Sequence, residues 1–199
     1  MEKHFDYDTV EKRALEQFKR PRATKSPFIG IVHRLDRPVS GVLLLAQNKS
    51  TLVALNQQFA RREVEKTYWA IVETTPKEAN GTLRHYLLKD KLGRKAIAAK
   101  RPLPKAKEAL LHYKVLKTFA KTCLLEVKPM SGKFHQIRVQ LSTAGFPILG
   151  DSLYGATKIF DNGNSIALHA RKLNFKAPLG EEQLEIVAPL PPYWPIEED

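Results

Sequence analysis

The chain is 199 residues long, 43% apolar and 27% charged, which suits one folded domain with a continuous core, and no second domain is expected. Its 33 Lys+Arg against 21 Asp+Glu give a formal charge of +12, an excess that favours a polyanionic partner through counterion release. No apolar run approaches the ~18 residues of a membrane span, the opening "MEKHFDYD" lacks the pattern of a secretion signal, and a lone cysteine, Cys123, excludes internal disulfides and Cys-rich metal sites, so a monomeric cytoplasmic protein without membrane contact is expected.

In chain order, "DTVEKRALEQFK" predicts a helix in which Asp8 caps, Glu11 takes the capping-box position, and Val10, Ala14, Leu15 and Phe18 share a face. With the basic loop "RPRATKSP" it makes residues 1–27 an N-terminal helix and loop. The short apolar runs "FIGIV" and "GVLLLAQ" read as buried strands flanking the loop that holds Asp36. Ser50 opens a helix to about Arg62 with Leu52, Leu55 and Phe59 in one stripe.

From Lys66 the period changes to that of a strand, "KTYWAIVE", and further strands are expected at "GTLRHYLL", "EALLHYKVL" and "CLLEVKP". A helix at "HQIRVQLSTA" ends at Gly145 and Pro147; Ile137, Leu141 and Ala144 turn it to the core while its polar start projects outward. Late strands are expected at "SIALHA", "KLNF" and "QLEIVA", and the proline-rich "APLPPYWP" as a rigid tail wrapping the surface. Strands follow strands without regular βαβ alternation, so the class is α+β: a mixed, largely antiparallel β-sheet with flanking helices. Lys89 to Lys107 holds eight basic residues and one acid, while "EEQLE" and "IEED" gather negative charge, which gives the molecule a basic face.

Two segments and one aromatic carry chemistry. In "IVHRLDRPVSG" the cations beside Asp36 favour its charged form, suiting a nucleophile, base or ligand; an Asx-turn role fits the same loop. In "SGKFHQIRVQL" a helix start with Lys133 nearby can hold an anion, or can simply be solvated. Tyr68 is a stacking platform for a base or a core residue. His33 and His135 could form a nuclease-type acid/base pair. The sequence has no HExxH, CxxC or clustered Asp/Glu to hold a metal, and no GxGxxG or GxxxxGK[ST] to hold a dinucleotide or nucleotide triphosphate.

Taken in order and at compatible separations, "HRLDRPVSG", "KTYWAIV", "SGKFHQIRVQL", "GFPILGDSLYG" and "IALHARKLNF" resemble the RluA-type family of pseudouridine synthases, from about Phe28 to Pro189. The resemblance implies a pseudouridine synthase catalytic domain with a central RNA-binding cleft. It makes Asp36 the catalytic nucleophile and Arg138 its partner. Tyr68 would stack on a flipped uracil and move a proton, and Leu168 would form a pocket wall. His33, Arg34, Arg37, Lys66, Lys133, His135 and Gln136 are expected at the RNA, whether ribosomal or transfer RNA. No cofactor is expected, because the isomerisation passes no electrons to an external acceptor.

Two features depart from the family pattern. Residues 1–27 replace its upstream strand and "KPxG"-like segment, so a single catalytic domain over 1–199 without a separate N-terminal RNA-binding domain is expected. "PVSG" stands where "TSG" is usual, and Lys133 where arginine is commoner. Two rival classes remain: a catalytically silent RNA-binding module or chaperone, and a metal-independent ribonuclease using His33 and His135.

Overall fold

The computed structural model describes residues 9–19, 21, 25–90 and 92–196. The elements begin with α1 (Val10–Gln17), β1 (Gly30–Ile31), β2 (Ser40–Gly41), β3 (Leu45–Ala46) and α2 (Lys49–Arg61). The long strands β4 (Glu65–Val72), β5 (Asn80–Lys89), β6 (Ala96–Ala99), β7 (Lys107–Thr118) and β8 (Cys123–Pro129) follow. Helix α3 (Gln136–Thr143) and strands β9 (Leu168–Lys176) and β10 (Gln183–Val187) complete the order. Among the described residues no helix is long and apolar enough to cross a membrane.

The main sheet runs β10-β9-β4-β8-β7-β5-β6, antiparallel throughout, with β2 added in parallel to β9. The α+β class with a mixed, largely antiparallel sheet is what the structure has. Antiparallel strands can bury one face and wet the other. Along β7, Ala109, Leu111 and Tyr113 point into the core while Glu108, His112 and Lys114 do not. Helix α3 and the chain around Phe146 to Ile166 cover the apolar face, and Ala70, Leu125, Leu141 and Ile148 are almost wholly buried there. A second cluster, Val42, Leu55, Val64, Leu173 and Phe175, fastens α2 to the sheet.

Several local expectations change. Asp8 lies outside the described residues; the α1 cap is Thr9, whose side chain accepts the Lys12 N–H. Asn48, not Ser50, caps α2 by accepting from Thr51 N at 2.8 Å. The run "FIGIV" contains only the two-residue strand β1, and "GVLLLAQ" gives its Gly41 to β2 before forming the two-residue β3, which pairs with β1. The two segments "SIALHA" and "KLNF" are one strand, β9. Strand β6 was not foreseen: its alanines have little strand propensity, and pairing with β5 supplies what the residues lack. The tail does more than wrap the surface, since Trp194 is 5% exposed and meets Phe160 and His169 edge-on.

The connection from His33 to Val42 is stitched to β9 and to the residues just before it. Val42 N donates to Ala170 O at 2.9 Å, Ile166 N donates to Pro38 O at 3.0 Å, and the Ser40 hydroxyl meets His169 Nδ1 at 2.8 Å. Gly41 has φ 118, and a Cβ there would lie 2.3 Å from the Ala170 carbonyl oxygen, so only glycine fits this crossing.

Candidate active site

A cleft of about 340 Å³, in the range of small-ligand pockets, opens between the His33–Val39 loop, β4, the Ser131–His135 turn and α3. Asp36 stands at its wall, half-buried. The Val39 N–H closes a turn onto the Asp36 carbonyl at 2.9 Å and leaves the side chain free to face the cleft. Its cationic partner is not a loop neighbour. Arg34 and Arg37 are exposed, and Arg37 does not line the cleft. Arg138, reaching in from α3, places Nη1 3.3 Å from Asp36 Oδ2.

Arg138 is itself gripped from behind. Asp151 accepts from both Nε and Nη2 at 2.7 Å, a bidentate pair with side chains 6% and 1% exposed, and the guanidinium lies 5.0 Å from the centre of the Tyr154 ring. Burial works against the arginine's charge, but the Asp151 and Asp36 carboxylates outweigh it and push its pKa up. The arginine is therefore a fixed cation, oriented by one acid and offered to another.

The polar start of α3 turns inward, contrary to expectation. Gln136 is 4% exposed; its Oε1 accepts from the Ser131 hydroxyl at 2.7 Å and from Lys133 N at 3.1 Å, and its Nε2 donates to Leu110 O at 2.9 Å. These bonds pin the turn to β7 and commit both Oε1 contacts and one Nε2 hydrogen to protein partners. His135 precedes the helix at φ 50, stacked on Phe134 at 3.8 Å, with Nε2 3.7 Å from Asp36 Oδ2. Burial lowers its pKa; Asp36 and Asp151 oppose the shift while Arg138 and Arg34 reinforce it. His135 is thus neutral at physiological pH, and its contact with Asp36 is not an ion pair.

His33 is also braced by protein. Its ring stacks on Phe59 at 5.0 Å, Nε2 accepts from Leu44 N at 3.1 Å, and burial together with the Lys66 charge lowers its pKa to about 4. A histidine so occupied is neither a cationic phosphate contact nor a general acid at neutral pH, which removes one half of the ribonuclease pair. Lys66 donates to Ser131 O at 3.2 Å, its pKa lowered by burial and then by Arg62. Lys133 and Arg34 line the mouth.

Tyr68 lies just past a register shift between β4 and β9, an irregularity that re-aims a side chain, and it lines the cleft with Asp36. Burial and then the Asp36 charge raise its pKa to about 12, so the phenol keeps its proton. Leu168 and Val39 supply apolar wall. Among the described residues no group of three or more His, Cys, Asp and Glu is placed to hold a metal.

The structure therefore brings Asp36, Tyr68, Arg138, His33, Arg34, Lys66, Lys133, His135, Gln136 and Leu168 to one cleft and leaves Arg37 outside it. Sequence reasoning passed over Asp151 and Tyr154. Nothing local marked them: in "GDSLYG" an acid beside a glycine reads as a solvated turn residue, and only the packing of Arg138 against it shows the carboxylate to be buried.

The family model described as RNA pseudouridylate synthase matches residues 3–143. The ribosomal large subunit pseudouridine synthase D of Borreliella burgdorferi is 40% identical over 72% of this chain and 44% of its own length. An uncharacterized RNA pseudouridine synthase of Zymomonas mobilis is 38% identical over 81% of this chain and 73% of its own. The chain spans about half the length of several curated relatives it matches. Among solved structures, human RNA pseudouridylate synthase domain containing 1 superposes with a TM-score of 0.75 at 26% identity, covering 92% of this chain and 74% of that one.

Proposed function

Because the chain belongs to the RNA pseudouridylate synthase family, we propose that it isomerises uridines of structured RNA to pseudouridine, with Asp36 as the reacting carboxylate. The observation that carries this reading is the Asp151–Arg138–Asp36 series: a buried, doubly bonded guanidinium presents one carboxylate to a cleft that also holds Tyr68 and Leu168. A structural ion pair has no need of that cleft.

The reaction breaks the bond between the base nitrogen and the ribose, turns the uracil, and rejoins it through carbon 5. The base must first leave its helix, at a cost of a few kcal/mol. Stacking on Tyr68 against the Leu168 and Val39 wall offsets part of that cost. Asp36 then either attacks the ribose or removes a ribose proton; both need an ionised oxygen in a site that excludes water. Arg138 neutralises the charge left on Asp36 whenever the carboxylate is released. Arg34 and Lys133 at the mouth take flanking phosphates, and Arg37, outside the cleft, reaches RNA further along. The substrate class is ribosomal or transfer RNA met in the cytoplasm; the names of the ribosomal large subunit relatives favour the ribosomal choice.

The test is Asp36→Asn. The amide is nearly isosteric and keeps hydrogen-bonding capacity, so a turn residue would tolerate it, whereas a nucleophile or base would not. The variant is expected to fold, to bind RNA like the parent and to form no pseudouridine in RNA lacking the modification. Retained isomerase activity would sink the assignment, and shortened RNA from the parent would restore the ribonuclease reading.

A further inference from the structure

Both protein contacts to the Asp36 carboxylate fall on the same oxygen. Arg138 Nη1 and His135 Nε2 approach Oδ2 at 3.3 and 3.7 Å, and no described residue bonds Oδ1. What His135 offers that oxygen depends on which ring nitrogen carries the proton, and the structure decides this through a residue that does not line the cleft.

His135 Nδ1 lies 2.8 Å from the Tyr154 hydroxyl, and that same hydroxyl oxygen accepts the Ala96 N–H at 2.7 Å. A phenol has one hydrogen. With Ala96 already donating to its oxygen, Tyr154 satisfies its own hydrogen by donating to Nδ1. In the opposite arrangement Nδ1–H would donate to Tyr154, and the hydrogen of a hydroxyl in a residue 7% exposed would have no described acceptor. The neutral ring, kept so by burial, therefore carries its proton on Nε2, the nitrogen that faces Asp36. The Tyr154 ring is held in turn: Arg138 lies over its face and the Ser142 hydroxyl donates to its carbonyl at 2.6 Å.

We propose that Tyr154 is a positioning residue for Asp36, acting through His135: it fixes the Nε2–H tautomer, which presents a donor and not a lone pair to Oδ2, 3.7 Å away and beyond hydrogen-bond distance, beside the Arg138 hydrogen bond, and so leaves Oδ1 as the oxygen that reacts. The inference rests on Asp36 being the reacting carboxylate. It also ties the site to the basic hairpin, because Ala96 begins β6 and Lys89, at the end of β5, lies over the Phe134 ring at 4.6 Å.

The experiment pairs a tautomer measurement with kinetics on the full chain. Nitrogen-15 NMR of the His135 ring in the parent should show Nδ1 unprotonated and Nε2 protonated. Tyr154→Phe, which keeps the ring beneath Arg138 and removes the hydroxyl, should mix the tautomers and lower kcat by about tenfold to a hundredfold at unchanged KM for RNA. His135→Gln keeps a donor near Asp36 that needs no tautomer, so in that background Tyr154→Phe should have no further effect on kcat. An Nδ1–H tautomer in the parent overturns the proposal, whatever the variants do. So does full kcat in Tyr154→Phe, or additive losses in the double variant. Activity persisting in Asp36→Asn overturns the functional reading instead, and the parent's tautomer still reports on the relay.

Discussion

At Arg138 two carboxylates share one guanidinium, and the two are not equivalent. Asp151 holds it bidentately and fully buried, while Asp36 touches it from the cleft. Removing the rear partner leaves a buried charge with only a partly exposed counterion, so Asp151→Ala should cost about 3–5 kcal/mol in chemical denaturation. Arg138→Lys should fold, but with a kcat at least about tenfold lower, since an ammonium cannot bridge both acids with the geometry of the fork. Tyr68 separates packing from chemistry. No described residue bonds its hydroxyl, so Tyr68→Phe should leave stability within about 0.5 kcal/mol of the parent; if the phenol moves a proton in the reaction, as the family resemblance implies, kcat should drop by about a hundredfold. Equal kcat in parent and phenylalanine variant would reduce Tyr68 to a stacking surface. Asp36, Tyr68 and Arg138 were each legible in short motifs. Their pairing came from the family resemblance and not from the local charge pattern, because the arginines adjacent in sequence turn to solvent and the partner comes from a helix 102 positions along.

At the scale of elements, the Ser131–His135 turn owes its shape to one amide. Gln136 joins the turn, α3 and β7 through three hydrogen bonds. Gln136→Leu should lower stability by about 1–3 kcal/mol, because donors and acceptors in a buried turn lose their partners, and should speed amide exchange at Lys133 without unfolding α3. The helix itself was evident from its apolar spacing, but its inward polar face was not. A buried glutamine looks like a solvated one until the strand behind it is in place. The basic stretch after Lys89 shows the same limit. It folds into the β5–β6 hairpin, whose turn is organised by its single acid: Asp90 Oδ1 accepts from Arg94 N at 2.6 Å and Lys95 N at 3.1 Å. Composition showed the charge, and only pairing with β5 showed the strand.

Over the whole molecule, charge and burial set two responses to solution conditions. If the hairpin grips phosphates, replacing Arg94, Lys95, Lys100 and Arg101 by glutamine should reduce the slope of log affinity against log salt by up to ~3, at about 0.7 per single-strand phosphate contact. An unchanged slope would place the RNA elsewhere. The second response is to acid. The unfolded chain takes up a proton at His33 near pH 6.5, but the folded chain does so only near pH 4. Between these values the unfolded state binds more protons, so stability falls as pH drops through the window, by at most about 3 kcal/mol from this residue. His85 and His135 shift in the same direction. Urea titrations across that range should show the loss, and His33→Gln should flatten it. The crossing at Gly41 bears on motion. Because the Asp36 loop is sewn to β9, an interior strand between β4 and β10, it has no hinge of its own and can lift only by tearing the sheet. The Val42 amide should therefore exchange with solvent only in global unfolding events. Induced fit is then closed to the carboxylate, and whatever reshaping a productive encounter requires falls to the nucleic acid and the hairpin.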